Sequence, residues 1–273
     1  MVLTDSHAHL SLVAEELGLD ALGALLGDYA EAWRAEGGKE GPLILDPGVD
    51  PGDLGPRLEL LAAFAGSRPF LRLAAGAWPS AQNLASPEAS LAALSASVAA
   101  ASRRGIRLAA IGEGGLDYYH GEGTRADQAA LFEGQLALAS RLGLPLIVHS
   151  REAAADTLAI VAGAHSSSPV LIHCFGYGAE EASAFLDLGC WISFAGNLTY
   201  KKSEALRQAC AHVRAERFLL ETDAPYMNPM PRRGRPSSPA DIERTYAAAA
   251  ELRGASVAEL AETVSRNAHE LFG

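Results

Sequence analysis

The sequence predicts the α/β class, as a single closed (β/α)8 TIM barrel with residues 1–273 forming one domain. Three observations point there: eight short apolar runs, helical periodicities between them, and polar residues at the carboxyl ends of the runs in both halves of the chain. A chain of 273 residues is an ordinary length for one such barrel. A doubly wound open sheet also alternates strand and helix. The count of eight and the spread of the polar ends favour closure.

In chain order the runs are VLTD (2–5), PLILD (42–46), FLRLAA (70–75), RLAAIG (107–112), LPLIVH (144–149), PVLIH (169–173), CWISFA (190–195) and RFLLET (217–222). Several are continuously apolar, as strands covered on both faces must be. Between them, Phe132, Leu136, Ala139 and Leu142 share one helical face, and Gly143 stops that helix before Pro145. Ala182, Phe185 and Leu186 repeat the pattern ahead of Gly189. Near the end of the sequence Ser256 and Glu259 form a capping box, with Val257, Leu260 and Val264 facing inward.

The net charge of −11 excludes nonspecific attraction of the whole surface to nucleic acid or an anionic membrane. It does not exclude a phosphate substrate, because a bound divalent ion dominates its local field. Cys174, Cys190 and Cys210 have neither metal-type nor redox-type spacing, and an odd count without a leader reads as reduced cytosolic thiols. Asp5 and His7 interrupt any leader pattern, and no apolar stretch reaches membrane-spanning length. The expectation is a cytoplasmic protein with no membrane association and no obligate protein partner.

The polar strand ends carry the chemistry. His7 and His9, one residue apart on a strand, point to the same side and can reach one ion. With eight histidines in the chain, one H-x-H pair is a weak signal alone. His149 and His173 each close an apolar run, where a single histidine is more often a hydrogen-bonded core residue than a ligand. Asp223 also fits an N-cap before Pro225, and Glu113 also fits an acceptor of backbone donors in GEGG.

Taken together these bland readings fail. Four histidines and two carboxylates converging on one barrel mouth would leave competing acceptors and desolvated charges unless cations sat among them. Six ligands exceed the needs of one tetrahedral ion, so two divalent ions bridged by a carboxylate are the economical reading. Many barrel metallohydrolases bridge their ions with a modified lysine, but Lys39, Lys201 and Lys202 close no ligand-bearing strand. Glu113 is therefore the candidate bridge. The ions can be zinc, magnesium, manganese or nickel.

Five stretches carry a resemblance: DSHAHL at 5–10, GEGGLDYY at 112–119, IVHSREA at 147–153, LIHCFGYG at 171–178 and LLETDAPYMNP at 219–229. In content and order they resemble the TatD-family metal-dependent hydrolases, of the metallo-dependent hydrolase type of barrel. The resemblance implies that His7, His9 and Asp223 hold one ion, that His149 and His173 hold the other, and that Glu113 lies between. It also implies a deoxyribonuclease or phosphodiesterase acting on DNA or nucleotides. Two stretches depart from the family. GAWP puts Trp78 where a histidine is usual, and RGRPSSP puts Ser237 and Ser238 where a polar pair is usual; both should border the mouth.

On this reading Asp223 both ligates and accepts a proton from water, and the planar fork of Arg151 contacts a phosphate oxygen. An ion pair is the competing role for Arg151. Arg232, Arg233 and Arg235 form either a solvated loop or a phosphate-backbone contact. Trp78 is more readily a packed loop aromatic than a base-stacking platform, and Cys174 a small core residue rather than a ligand. The alternative function is hydrolysis of an amide, lactone or carboxyl ester by the same ions. A partner-binding protein without turnover is a third reading, and a complete ligand set argues against it.

Overall fold

The computed structural model describes residues 1–35, 41–64, 69–164 and 168–273. Seven strands appear among them: β1 (Ile44–Asp46), β2 (Leu71–Ala75), β3 (Ala110–Asp117), β4 (Leu146–Arg151), β5 (Val170–Ile172), β6 (Trp191–Phe194) and β7 (Phe218–Leu220). Each pairs in parallel with the next in sequence order, and helices cover the outside of the curled sheet. Every residue of β3, β5, β6 and β7 is buried, which explains their unbroken apolar character elsewhere than at the site.

The eighth expected strand is the main correction. Residues 2–5 form no strand, and the first segment contributes only isolated bridges, Asp5 with Ile44 and Ala8 with Ala224. It nevertheless fills the gap between β1 and β7. Asp5 N–H donates to Leu43 O at 2.8 Å and Ala8 N–H to Leu45 O at 2.9 Å on one side. Ser6 N–H donates to Leu220 O at 3.1 Å and His9 N–H to Ala224 O at 2.8 Å on the other. The physical reason for the irregularity is the Asp5 carboxylate, which accepts from the backbone N–H groups of His7 and Thr222 and from the Thr222 hydroxyl. These side-chain bonds replace ladder bonds and bend the chain. Tyr29 and Tyr246 hold the preceding residues through Leu3 O and Thr4 O.

β3 differs from expectation in length. It begins at Ala110 and continues through the glycine-rich stretch to Asp117, with its register to β4 shifting between Ile111 and Gly114. Gly115 has φ +139°, and a Cβ there would lie 2.0 Å from His149 O. Only a glycine lets the two strands meet this closely.

The helix Arg125–Leu142 carries a Thr124–Asp127 capping box and stops at left-handed Gly143. Its inner face is Phe132, Leu136 and Ala139; Leu142, expected there too, is 42% exposed. Ala182, Phe185 and Leu186 are buried as expected, and the Ser256–Glu259 capping box opens the helix Val257–Phe272. Among the described residues no helix is long and apolar enough to cross a membrane.

Candidate metal centre

Parallel strands in a barrel release their side chains at one rim, and the six expected donors arrive there from the bent first segment, β3, β4 and the residues just after β5 and β7. His7 Nε2 lies 3.3 Å from His9 Nε2, 3.6 Å from Glu113 Oε2 and 3.8 Å from Asp223 Oδ1. His9 Nε2 lies 3.5 Å from Asp223 Oδ1 and 3.9 Å from Glu113 Oε1. On the other side of Glu113, Oε2 is 2.6 Å from His173 Nε2 and 4.0 Å from His149 Nδ1. The His7 and His173 rings stack 4.0 Å apart. All six residues the sequence singled out are brought together, and all but half-buried His149 are buried.

The donor chemistry fits a cation. His173 Nε2 and Glu113 Oε2 approach closely, yet neither has hydrogen-bond geometry to any described residue, and His7 Nδ1 is also buried without a partner. Such orphaned groups are uncommon in a folded interior. His7, His9 and Asp223 each offer a donor atom within 4.8 Å of the others, as do Glu113, His149 and His173. A third grouping within the same distance joins His7, His173 and Glu221.

The electrostatics are those of opposed groups deprived of water. Burial, reinforced by the neighbouring His173, holds His7 well below the ordinary imidazole range. Burial also opposes charge on His173, but Glu113 and Glu221 outweigh it and raise that imidazole well above its usual value. Glu113 is held well below the carboxylate range by His173, His7 and His9, against the cost of burial. Backbone geometry is special at the same rim. The described non-glycine residues with left-handed φ are Glu152, Cys174, Asp223 and Met227, all in segments leaving β4, β5 or β7.

Two buried carboxylates escaped the sequence reading. Asp117 Oδ2 lies 2.9 Å from His149 Nε2, and Glu221 Oε1 lies 3.4 Å from His173 Nδ1 while accepting the Cys174 N–H at 2.7 Å. Each orients an imidazole from behind, a common arrangement around metal-binding histidines. Asp117 in GEGGLD fell beyond the expected strand end, and Glu221 looked like part of an apolar strand. A signal was available, since both are carboxylates close in sequence to a candidate ligand at the same rim.

The other candidates divide. Arg151 stacks over Tyr119 at 4.0 Å and makes no ion pair among the described residues. Arg232 pairs with Asp241 at 3.1 Å, and Arg233 covers Tyr200 at 4.4 Å. Trp78 packs edge-on against His149 and His120, with ring centroids 5.7 and 5.9 Å away. Ser237 is fully buried and donates to Tyr226 O, while Ser238 caps a short helical turn with Asp241. Both serines therefore support the mouth rather than line it. Cys174 is absent from the donor groups, Lys201 and Lys202 are exposed, and Lys39 lies outside the described residues.

Comparison with known proteins shows the family and the fold. The family described as TatD related DNase matches residues 4–273. The chain is 40% identical over 164 residues to the uncharacterized metal-dependent hydrolase YcfH of Escherichia coli K12, covering 60% of this chain and 62% of that one. It is 38% identical over 170 residues to a protein of Pantoea ananatis named 3′-5′ ssDNA/RNA exonuclease TatD, covering 60% and 65%. The matches thus span less than two thirds of these relatives' length. Among solved structures, the TatD homologue YjjV of Escherichia coli K12 superposes with TM-score 0.80 at 27% identity, covering 100% of this chain and 99% of that one. An organophosphorus hydrolase from Deinococcus radiodurans shares the fold, with TM-score 0.65 at 16% identity and coverage of 99% and 92%. An irregular first segment, seven parallel strands and a histidine–carboxylate rim are therefore the form that the TatD-related DNase family takes in this chain, which belongs to it.

Proposed function

We propose that the chain is a metal-dependent phosphodiesterase acting on DNA or nucleotides, with residues 1–273 working as one domain in the cytoplasm. The observation that carries this reading is the convergence of His7, His9, Glu113, His149, His173 and Asp223 with their donor atoms facing one another. His7, His9 and Asp223 would hold one divalent ion and His149 with His173 a second, Glu113 lying between. When bound, such ions supply Lewis acidity toward a phosphoryl oxygen and acidify water near neutral pH.

The chain's own groups do the rest. Asp223 accepts the proton of the attacking water, from a position fixed by its backbone N–H bond to His7 O at 2.9 Å. Glu113 stays ionised because three imidazoles surround it. Asp117 and Glu221 keep His149 and His173 from rotating. Arg151, free of any carboxylate partner among the described residues, offers its fork to the phosphate.

The test is incubation of the purified protein with a single-stranded oligonucleotide and with a simple aryl phosphodiester. Both should be hydrolysed, with the activity lost in chelator and regained on adding zinc, magnesium, manganese or nickel ions. Turnover of lactones or carboxyl esters without any phosphodiester cleavage would replace this reading.

A further inference from the structure

We infer that His120 is the acid that protonates the departing oxygen of the substrate; this rests on the phosphodiester reading above. His120 stands just beyond β3 on the donor-bearing rim, with its side chain 48% exposed. Asp117 holds it twice. Asp117 Oδ1 accepts the His120 backbone N–H at 2.8 Å, and Oδ2 engages ring Nδ1 at 2.8 Å. Asp117 is locked in turn by buried Gln128, which accepts its N–H at 2.8 Å and donates to its carbonyl at 3.0 Å.

This places two histidines on one carboxylate oxygen. His149 Nε2 meets Asp117 Oδ2 from the side of the buried donors, and His120 meets it from the side of solvent. With Nδ1 occupied, the His120 ring turns its Nε2 edge away from Asp117, and Nε2 has no hydrogen-bond partner among the described residues. The surroundings belong to the substrate side. Tyr119 packs against His120 with ring centroids 5.1 Å apart, and the Arg151 guanidinium lies over the same tyrosine. Trp78 packs edge-on against both His120 and His149, linking the exposed histidine to one of the six candidate donors.

The reaction requires such a group. Water adds its oxygen to phosphorus and gives its proton to Asp223. The bond from phosphorus to the leaving oxygen breaks, and its electron pair stays on that oxygen. In a nucleic acid this oxygen leaves as an alkoxide, which is strongly basic. His120 Nε2–H donates the proton, and the exposed ring regains one from solvent as Asp223 releases its own. The balance is one water consumed, one phosphomonoester and one alcohol formed.

Proton donation matters in proportion to the basicity of the leaving group, which a structural role would not. The decisive comparison uses dithymidine monophosphate, which loses an alkoxide, and thymidine 5′-(p-nitrophenyl) phosphate, which loses a stabilised phenolate. His120→Ala and His120→Gln should each lose about 10²- to 10³-fold in kcat/KM on the first substrate and less than about tenfold on the second. Bound metal, counted by mass spectrometry, should match the wild type. Equal losses on both substrates would make His120 a scaffold residue and overturn the proposal, as would an undiminished rate on the dinucleotide. A drop in bound metal would show that it acts through His149, which overturns it too. If the wild type cleaves neither compound, the phosphodiester reading itself has failed, and this is seen before any variant is compared.

Discussion

His149 and Arg151 leave β4 two residues apart and so project from the same side of the strand, yet their surroundings differ. His149 lies against Asp117, Trp78 and the neighbourhood of Glu113, whereas Arg151 lies on a tyrosine at the rim. On the phosphodiester reading they should fail differently. His149→Ala should lose one ion and nearly all hydrolysis. Arg151→Ala should keep its metal and lose about ten- to a hundredfold in kcat/KM on anionic phosphodiesters, with much less effect on a neutral ester. Metal content and kinetics on both substrates check this; equal losses on charged and neutral substrates would assign Arg151 to the scaffold. At this scale the sequence was informative because donor residues cluster at strand ends, and position alone named His7, His9, Glu113, His149, His173 and Asp223. It did not single out Asp117, Glu221 or His120, although the two carboxylates lie close in sequence to candidate ligands. Asp117 and Glu221 touch the candidate ligands His149 and His173 from behind, and which carboxylate meets which imidazole depends on contacts between strands.

The closeness of β3 to β4 is what aims the donors, and it depends on a position without a side chain. Gly115→Ala would drive a methyl group into His149 O and impose an unfavourable backbone conformation. The expected cost is about 3 kcal/mol or more, combining overpacking with backbone strain. Urea denaturation should show it as a lowered midpoint, accompanied by reduced metal binding. A second element rests on Arg57, buried beneath β1 and β2, which donates to Asp46 Oδ2 and Ala74 O, each at 2.7 Å. Arg57→Met should cost about 3–5 kcal/mol, because the buried Asp46 carboxylate loses its cation. A variant as stable as the wild type in the same assay would show that Asp46 finds compensation elsewhere. Element boundaries were legible where periodicity or caps declared them, as in the helices Arg125–Leu142 and Val257–Phe272. GEGG looked like a loop because glycines are turn formers. Pairing with β4 overrode that preference, and a local pattern cannot register such a partner.

For the molecule as a whole, the hydrophobic core is built from residues other than the candidate metal donors. On the proposed function, chelation should abolish hydrolysis while leaving the far-ultraviolet circular dichroism largely intact. The stability lost with the metal should be about 2.7 kcal/mol if the ion was present at a hundred times its Kd. Collapse of the spectrum at room temperature would contradict this. Alkali tests the core separately, since burial pushes the Cys190 and Cys210 thiols up to about 12 from an ordinary value of 9.0. The folded protein keeps these protons while the unfolded chain releases them. Their contribution is complete below about pH 9 and declines by about 1.4 kcal/mol per unit for each thiol as the pH climbs toward about 12. Between about pH 8 and about pH 10 the wild type should lose about 2–3 kcal/mol more stability than a double variant with Cys190→Ala and Cys210→Ala. Equal losses would mean that the thiols ionise within the fold. The barrel class was readable from the alternation of strand and helix, but the count of eight strands was one too many among the described residues, and closure by a bent segment was not legible. That closure depends on Asp5 meeting Thr222, residues 217 positions apart in the sequence.

The same seam constrains the order in which its contacts can form. His7 and His9 are synthesised more than 200 residues ahead of β7 and Asp223. Until those follow, the flank of the first segment that meets Leu220 and Ala224 cannot be satisfied, although the flank facing β1 can. Long-range pairing of this kind is slow and comes late. A nascent chain stalled before residue 218 should therefore take up no metal at the His7–His9 pair with the affinity of the finished protein. On the proposed function, assembly of the candidate centre would therefore follow synthesis of β7.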